Sequence, residues 1–422
     1  TASNNTAVGE SALRYTTTGS ANTAVGRYAL VSSTTASNNA AFGSFALSEN
    51  TTGASNTAIG YSSLENNTTA SDNTAVGFKS LEANTTGTNN VAVGIQAGTA
   101  VTTANEATLI GRHAGIGLTT GNSNTFIGAR AGQATTTSIE NTAVGQAALL
   151  TNSTGQYNTA IGRAALLSST TASNNTAVGR NSQVATTTGA NNVSVGYLSL
   201  AANTSGTQNT AVGGNALDAA TTAANNTAVG YASLTTATTG HSNASHGSFS
   251  LANSTTGSEN SAIGHNSGAD ITTGNSNTCI GYRTGEYGTL LQTGNGNVLL
   301  GAYTRTSATN SSYANGIGYD INATAGYTTI GSSGSDIRAQ NGVATWSTVS
   351  DKRVKKDITD AEAGLSFIND LRPRTFKYKA KGDLPKEFHS YEEGSTETYK
   401  NEFTNHGFIA QEVKEAVDNH PE

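Results

Sequence analysis

A glycine that returns at every seventeenth position constrains this chain more than any other feature. It closes the segment Asn-Thr-Ala-Val-Gly, or a close variant, at Gly9, Gly26, Gly43, Gly60, Gly77 and Gly94, and continues without insertion to Gly264 and Gly281. Such constancy is foreign to disordered or drifting low-complexity sequence, which has no geometric reason to keep register. Beyond Gly281 the rhythm loosens, to Gly301, Gly318 and Gly331. A fixed period marks stacked units that cannot bury their apolar side alone. Each unit is too short for a helical hairpin, and its β-branched Val, Ile and Thr favour strands. The fold expected is mainly β: a β-solenoid, or β-roll, with one coil per repeat.

The grammar inside each unit assigns roles. Val or Ile precedes the anchor glycine (Val8, Val25, Ile59, Val76, Val93, Ile110, Ile127), and Leu commonly sits four positions after it (Leu13, Leu30, Leu47, Leu64, Leu81). Both series are expected to form aliphatic ladders inside the coil, the glycine allowing a bend or a close backbone approach. Asn5, Asn22, Asn39, Asn56, Asn73 and Asn90 are expected to stack as an amide ladder at a turn. The many Asn-Xaa-Thr/Ser triplets read as part of that ladder rather than as glycosylation sites. Stretches such as Thr16-Thr17-Thr18-Gly19 read as a turn and a short outer strand. At about 4.8 Å per coil, the anchors imply a rod of about 95 Å.

Composition sharpens this. Aromatic residues are only 6% of the chain, so small residues must make the core. So narrow a coil buries few methylenes, and self-association relieves the shortage; three chains packing through small faces at Ala24 and Gly26 is the arrangement expected. Cys279 is the single cysteine, which leaves no intrachain disulfide, and it stands where other units have Ala. No apolar run reaches membrane-spanning length, and the net charge of -6 offers little to nucleic acid. The chain contains no Met and begins at Thr1 without a leader, and so reads as a fragment.

Charge divides the chain. Only 23 of the first 349 residues are charged, against 27 of the last 73, and Pro373, Pro385 and Pro421 all lie in the second part. The domains expected are a repetitive shaft at 1–331, a connector at 332–349 and a distinct small α+β domain at 350–422, incomplete at its C-terminus. That last part reads SDKRVKKDI from Ser350, a helix near Ala361 to Leu371, strand-like RTFKYK from Arg374, and GFIAQEVKEAV from Gly407.

Two resemblances follow. The Asn-Thr-Ala-Val-Gly units followed by Ala-Leu are similar to the head repeats of trimeric autotransporter adhesins, which coil into left-handed trimeric β-rolls; the longer period here leaves handedness open. Similar repeats occur in viral and phage fibres. The C-terminal motifs closely resemble the endosialidase-type intramolecular chaperone of phage tail fibres and tailspikes. That resemblance implies trimerisation, templated folding of the fibre, and self-release. It makes Ser350 the nucleophile, Lys355 its base and Val349–Ser350 the scissile bond, a Ser-Lys variant of triad logic. Val354 departs from the family's usual Leu.

The expected function is a phage tail fibre or tailspike-type attachment protein of the virion: a homotrimer that meets a host-surface receptor, with glycan as one candidate. The alternative is a bacterial trimeric surface adhesin that keeps its chaperone module. Catalysis beyond self-cleavage is not expected, nor is a cofactor, a metal, nucleic acid or membrane insertion. The basic cluster Lys352, Arg353, Lys355 and Lys356 sits among acids and reads as a solvated face, while His389, His406 and His420 lack ligand spacing. Tyr28, Phe45, Tyr61, Phe78, Tyr197 and Tyr231 follow anchor glycines and read either as a sugar-stacking face or as cover for a trimer seam or coil edge. A glycan-degrading tailspike needs a carboxylate pair, whereas the repeats' acids recur at no matching position.

Overall fold

The computed structural model describes residues 2–343, 347–348, 365–386 and 390–420. The chain divides into two units, Thr1–Val349 and Ser350–Glu422.

The first unit is a parallel β-solenoid. Each coil contributes one short strand, from Thr6–Val8 through Thr278–Ile280, paired with the equivalent strand of the next coil: Thr6 lies opposite Thr23, Ala7 opposite Ala24, and Val8 opposite Val25. This in-register pairing places like side chains over like for the length of the shaft.

The interior differs from the expectation. Strand side chains alternate, so a strand of this length turns only its centre inward; Ala24, Ala41, Ala58 and Ala75 are fully buried there. The Val/Ile position points outward, with Val8 56%, Ile59 42% and Ile161 40% exposed, so the proposed inner Val/Ile ladder is an outer one. Leu30, Leu47, Leu64 and Leu81 do face in, and they fill the narrow lumen so that a methyl is all the strand can add. Ala24 lies in its own chain's core and is therefore withdrawn from any seam between chains.

Volume is traded between the two inward positions. Leu109 and Phe126 replace the usual strand Ala, and the same stretch of coils carries Gly98, Gly115 and Gly132 where others carry Leu. A Cβ on Gly98 would stand 2.6 Å from Leu109 Cδ1, and one on Gly132 2.5 Å from the Phe126 ring. Core density is thus held constant while the residue that supplies it moves.

Coil corners are left-handed. Glu140, Ala147 and Leu149 have φ of 54°, 56° and 54° within one coil, and equivalent positions repeat along the shaft. Such residues cost energy singly and persist because the stack over-determines them. At the anchor the requirement is absolute: Gly145 has φ +135°, and a Cβ there would lie 2.5 Å from the Gly162 carbonyl oxygen. The outer strand expected at Thr16–Gly19 is instead a bend. The Thr34 carbonyl accepts from the amides of Thr17, Thr18 and Gly19 at 2.9, 3.2 and 3.3 Å, and donors converging on one oxygen curve the chain rather than extend it.

The asparagine ladder forms as expected, with more bonds than carboxamide pairing alone. Asn158 Nδ2 donates to Asn141 Oδ1 at 3.1 Å and to the Ala172 carbonyl at 2.9 Å, and its backbone N–H donates to Asn141 Oδ1 at 3.0 Å. A second ladder runs inside the coil. Asn67 Nδ2 donates to Asn50 Oδ1, and Asn84 Nδ2 to Asn67 Oδ1, both at 2.9 Å. It stops where Val101 supplies no donor, and Asn84 Oδ1 is left without a partner. Asn203 Oδ1 is orphaned likewise, below Ala220.

The apolar core is also interrupted once. One cluster runs as far as Ala177 and the next begins at Leu200. Between them Gln183 takes the inward Leu position, and its Nε2 donates to Ser194 Oγ at 2.9 Å while Oε1 has no partner.

Beyond Thr278–Ile280 the next coil is longer than those before it, pairing Thr278 with Val298. Tyr327–Ser332 then turns through Gly334 into the antiparallel strand Ser335–Gln340, joined in turn by Ser347–Thr348. The segment 332–349 therefore carries a strand that covers the last coil's open edge.

The second unit is small and mixed. Helix Leu365–Asp370 precedes strand Arg374–Phe376, which pairs antiparallel with Asn405–Gly407 ahead of helix Ala410–Asp418. The strand is shorter than RTFKYK suggested. Ala416 is its one buried apolar residue among those described, whereas Phe403, Phe408 and Val417 are more than half exposed.

Candidate functional sites

Two places answer to the expected functions: the junction at Val349–Ser350 and the aromatic stripe of the shaft. Val349, Ser350 and Lys355 lie outside the described residues, as do Lys352, Arg353, Val354, Lys356 and His389. What surrounds the junction is describable. The division between the two units falls at the bond singled out by the motif.

Within the C-terminal unit, Arg374 anchors the AQEV helix. Its guanidinium grips Glu412 at 2.8 and 2.6 Å, and this bond holds the Glu412 carboxyl below its usual range. His420 Nε2 contacts Asp370 Oδ2 at 2.8 Å and packs edge-on against Phe367, linking the two helices. His406 meets Thr375 across the strand pair at 3.3 Å. Among the described residues no His, Cys, Asp and Glu group is arranged to hold a metal, and no helix is long and apolar enough to cross a membrane.

On the shaft, rings that follow the anchor glycines succeed one another in columns, some pairs face to face and most edge to face, because coils repeat at near ring spacing. Tyr28, Phe45, Tyr61 and Phe78 form one column, with centroids 5.5, 6.0 and 5.6 Å apart. Tyr231 begins a second column that continues through Phe249, His265, Tyr282, Tyr303 and Tyr319. Sequence reading stopped this column at Tyr231. The signal was present, since every member lies one or two positions after an anchor.

Beside the second column is a groove of about 390 Å³, floored by Ala252 and Ala269 and walled by Phe249, His265, Asn253, Asn266, Asp270 and Glu286. Asn253 Nδ2 donates to Asp270 Oδ1 at 3.0 Å. Burial raises the Asp270 carboxyl above its usual range, the Asn253 bond opposing this and the nearby Glu286 charge adding to it. Glu286 is held by Arg283, with Nε–Oε2 at 2.5 Å and Nη2–Oε1 at 3.0 Å. Repeat spacing hid this pairing of acids, because Glu286 lies in the longer coil, where the period is broken. Further along, Arg283, Tyr287, Tyr303, Tyr319 and Asp320 line a second hollow of about 270 Å³, and Arg305 bonds Asp320.

Cys279 is fully buried at the strand centre, where desolvation pushes its thiol up to about 12. It is an interior packing residue.

Comparison with known proteins locates one family. Residues 350–420 match the family model described as chaperone of endosialidase. No curated protein and no solved structure matches the chain.

Proposed function

We propose that this chain is a fibre or tailspike-type attachment protein: a homotrimeric β-solenoid shaft, 1–331 with its connector 332–349, folded with the help of a C-terminal chaperone domain, 350–422, that then cuts itself away. The observation that carries the reading is the junction, where the unit built on the in-register coil stack ends at Val349 and the segment matching the endosialidase chaperone begins at Ser350.

Trimerisation is supported by apolar surface that one chain leaves uncovered. Val8, Ile59, Ile110, Ile161, Ile263 and Ile280 present an exposed aliphatic row along one edge of the shaft. The seam is assigned to this row in place of Ala24 and Gly26. The C-terminal unit, with so little buried and Phe403, Phe408 and Val417 open, likewise calls for neighbouring copies.

In the cleavage step Lys355 accepts the Ser350 hydroxyl proton and Oγ attacks the Val349 carbonyl carbon. The tetrahedral intermediate collapses as the C–N bond breaks, the proton passes to the Ser350 nitrogen, and Val349 is left as an ester on Oγ. Water opens that ester to a Val349 carboxylate and a free Ser350. Adjacency along the backbone supplies the effective concentration, and a lysine serves as base where burial lowers its pKa.

Denaturing intact mass tests this. The expected result is a product ending at Val349 and a piece beginning at Ser350, with Ser350→Ala and Lys355→Ala chains whole. Wild type that stays whole refutes the cleavage step and favours an adhesin that retains its module. Light scattering tests the trimer. A mass of one chain removes it, and Ile110→Asp with Ile161→Asp is expected to reduce three chains to one.

A further inference from the structure

We propose that the groove beside the second aromatic column binds a short oligosaccharide free of acidic sugars. The inference rests on the attachment reading for its purpose and names the ligand class that reading leaves open.

Three features of the groove point the same way. Its volume of about 390 Å³ lies in the range of small-ligand sites. Phe249, exposed to 40%, and the His265 ring form one wall, and Tyr231 and Tyr282 continue the column on either side with about half of their surface open. Flat apolar rings of this kind match the C–H face of a pyranose, which buries apolar surface while its hydroxyls stay at the rim.

Opposite the rings the groove is rich in acceptors. The Asn266 carboxamide lines the groove, and its enclosed Oδ1 has no hydrogen-bond partner, so turning this side chain toward the groove exchanges an unpartnered acceptor for one that a ligand's donor can reach. Asp270 receives one bond, from Asn253, and among the described residues no cation pairs with it. Vicinal sugar hydroxyls are donors of the required kind, and a carboxylate beside an amide oxygen accepts from a pair of them.

Charge then selects among sugars. Asp270 and Glu286 both line the groove, and the nearby guanidinium of Arg283 is already committed to Glu286. An anionic saccharide would meet an uncompensated carboxylate and, among the described residues that line the groove, no cation. Neutral and amino sugars fit, whereas sialic and uronic acids are repelled. The outward Val/Ile row lies before the anchor glycine and the rings after it, so the groove and the proposed seam use different residues.

The experiment is fluorescence polarisation of the full chain with labelled hexasaccharides of glucose, mannose and N-acetylglucosamine, and with polysialic acid. At least one neutral probe is expected to bind and polysialic acid is not. Phe249→Ala and Asp270→Asn should each weaken the neutral probe about tenfold, equivalent to about 1.4 kcal/mol. Thermal melts separate binding from folding, and if Phe249→Ala melts early the isosteric Asp270→Asn carries the test. Absence of neutral-sugar binding, binding unchanged in both variants, or preference for polysialic acid overturns the proposal. So does a Phe249→Ala chain whose only change is loss of the trimer, which would make the rings a seam. Mass and cleavage report on the assembly and polarisation on the groove, so either reading can fail alone.

Discussion

Replacing Asn158 by Ala should open the shaft locally. The side chain is buried and serves two backbone groups: Nδ2 donates to the Ala172 carbonyl at 2.9 Å, and Oδ1 accepts the Asn175 amide at 3.1 Å. Alanine strands both. Each buried backbone group without a partner costs about 1–3 kcal/mol, so the expected loss is about 2–6 kcal/mol. Because coils couple chiefly to their neighbours, the effect should concentrate near the lesion. Hydrogen exchange at Asn175 and Thr176 should speed up about 30-fold or more, the equivalent of about 2 kcal/mol, while Thr57 is unaffected. Thr171→Ala, at an exposed neighbouring position, is the control. An Asn158→Asp chain adds a sign. Its carboxylate would face the Asn141 Oδ1 and Ala172 oxygens, so its folded-state pKa is raised. Its stability relative to wild type is therefore best below the ordinary carboxylate range and is lost as pH rises through the folded value. A loss under about 0.5 kcal/mol in Asn158→Ala, or exchange changed equally everywhere, would refute the ladder as the stacking element.

Three further outcomes are expected. Ala220→Asn gives the orphaned Asn203 Oδ1 a donor but leaves its own Oδ1 without one under Ala237, so the free energy of unfolding in urea should change by less than about 0.5 kcal/mol; a gain above about 1 kcal/mol contradicts that account. Gln183→Leu with Ser194→Ala restores the repeat's usual residues at the polar break between Ala177 and Leu200, and should merge any two-step melt into one and raise it. A melt already single in wild type and unmoved by the pair counts against a weak point there. Cys279, with its thiol raised to about 12 by burial, should resist iodoacetamide from about pH 7 to 9 while folded and react once urea opens the coil; prompt labelling of native protein would place it elsewhere.

The junction and the C-terminal unit show how far local reading reaches. A jump in charge density marked the boundary near Val349, and contacts divide the chain at that bond. GFIAQEV announced the family match over 350–420, whereas the helix Ala410–Asp418 in which its AQEV lies had not been expected. The hold of Arg374 on Glu412 spans 38 residues and had no sequence signature.

Periodicity by itself determined the solenoid, its strand, the buried Leu ladder and the stacked asparagines, because any property that recurs once per coil must superpose when coils stack. Tertiary structure alone decided which side of the strand faces in. That parity is set by the left-handed corners at residues such as Ala147 and Leu149, and it sends Val and Ile outward and Ala inward, opposite to their hydrophobicity. It also decided the exchange of Leu109 and Phe126 for Gly98, Gly115 and Gly132, since volume is conserved across neighbouring coils rather than within one. The groove at Asp270 and Glu286 belongs to the same class: an insertion that breaks the period brought together side chains that the period keeps apart.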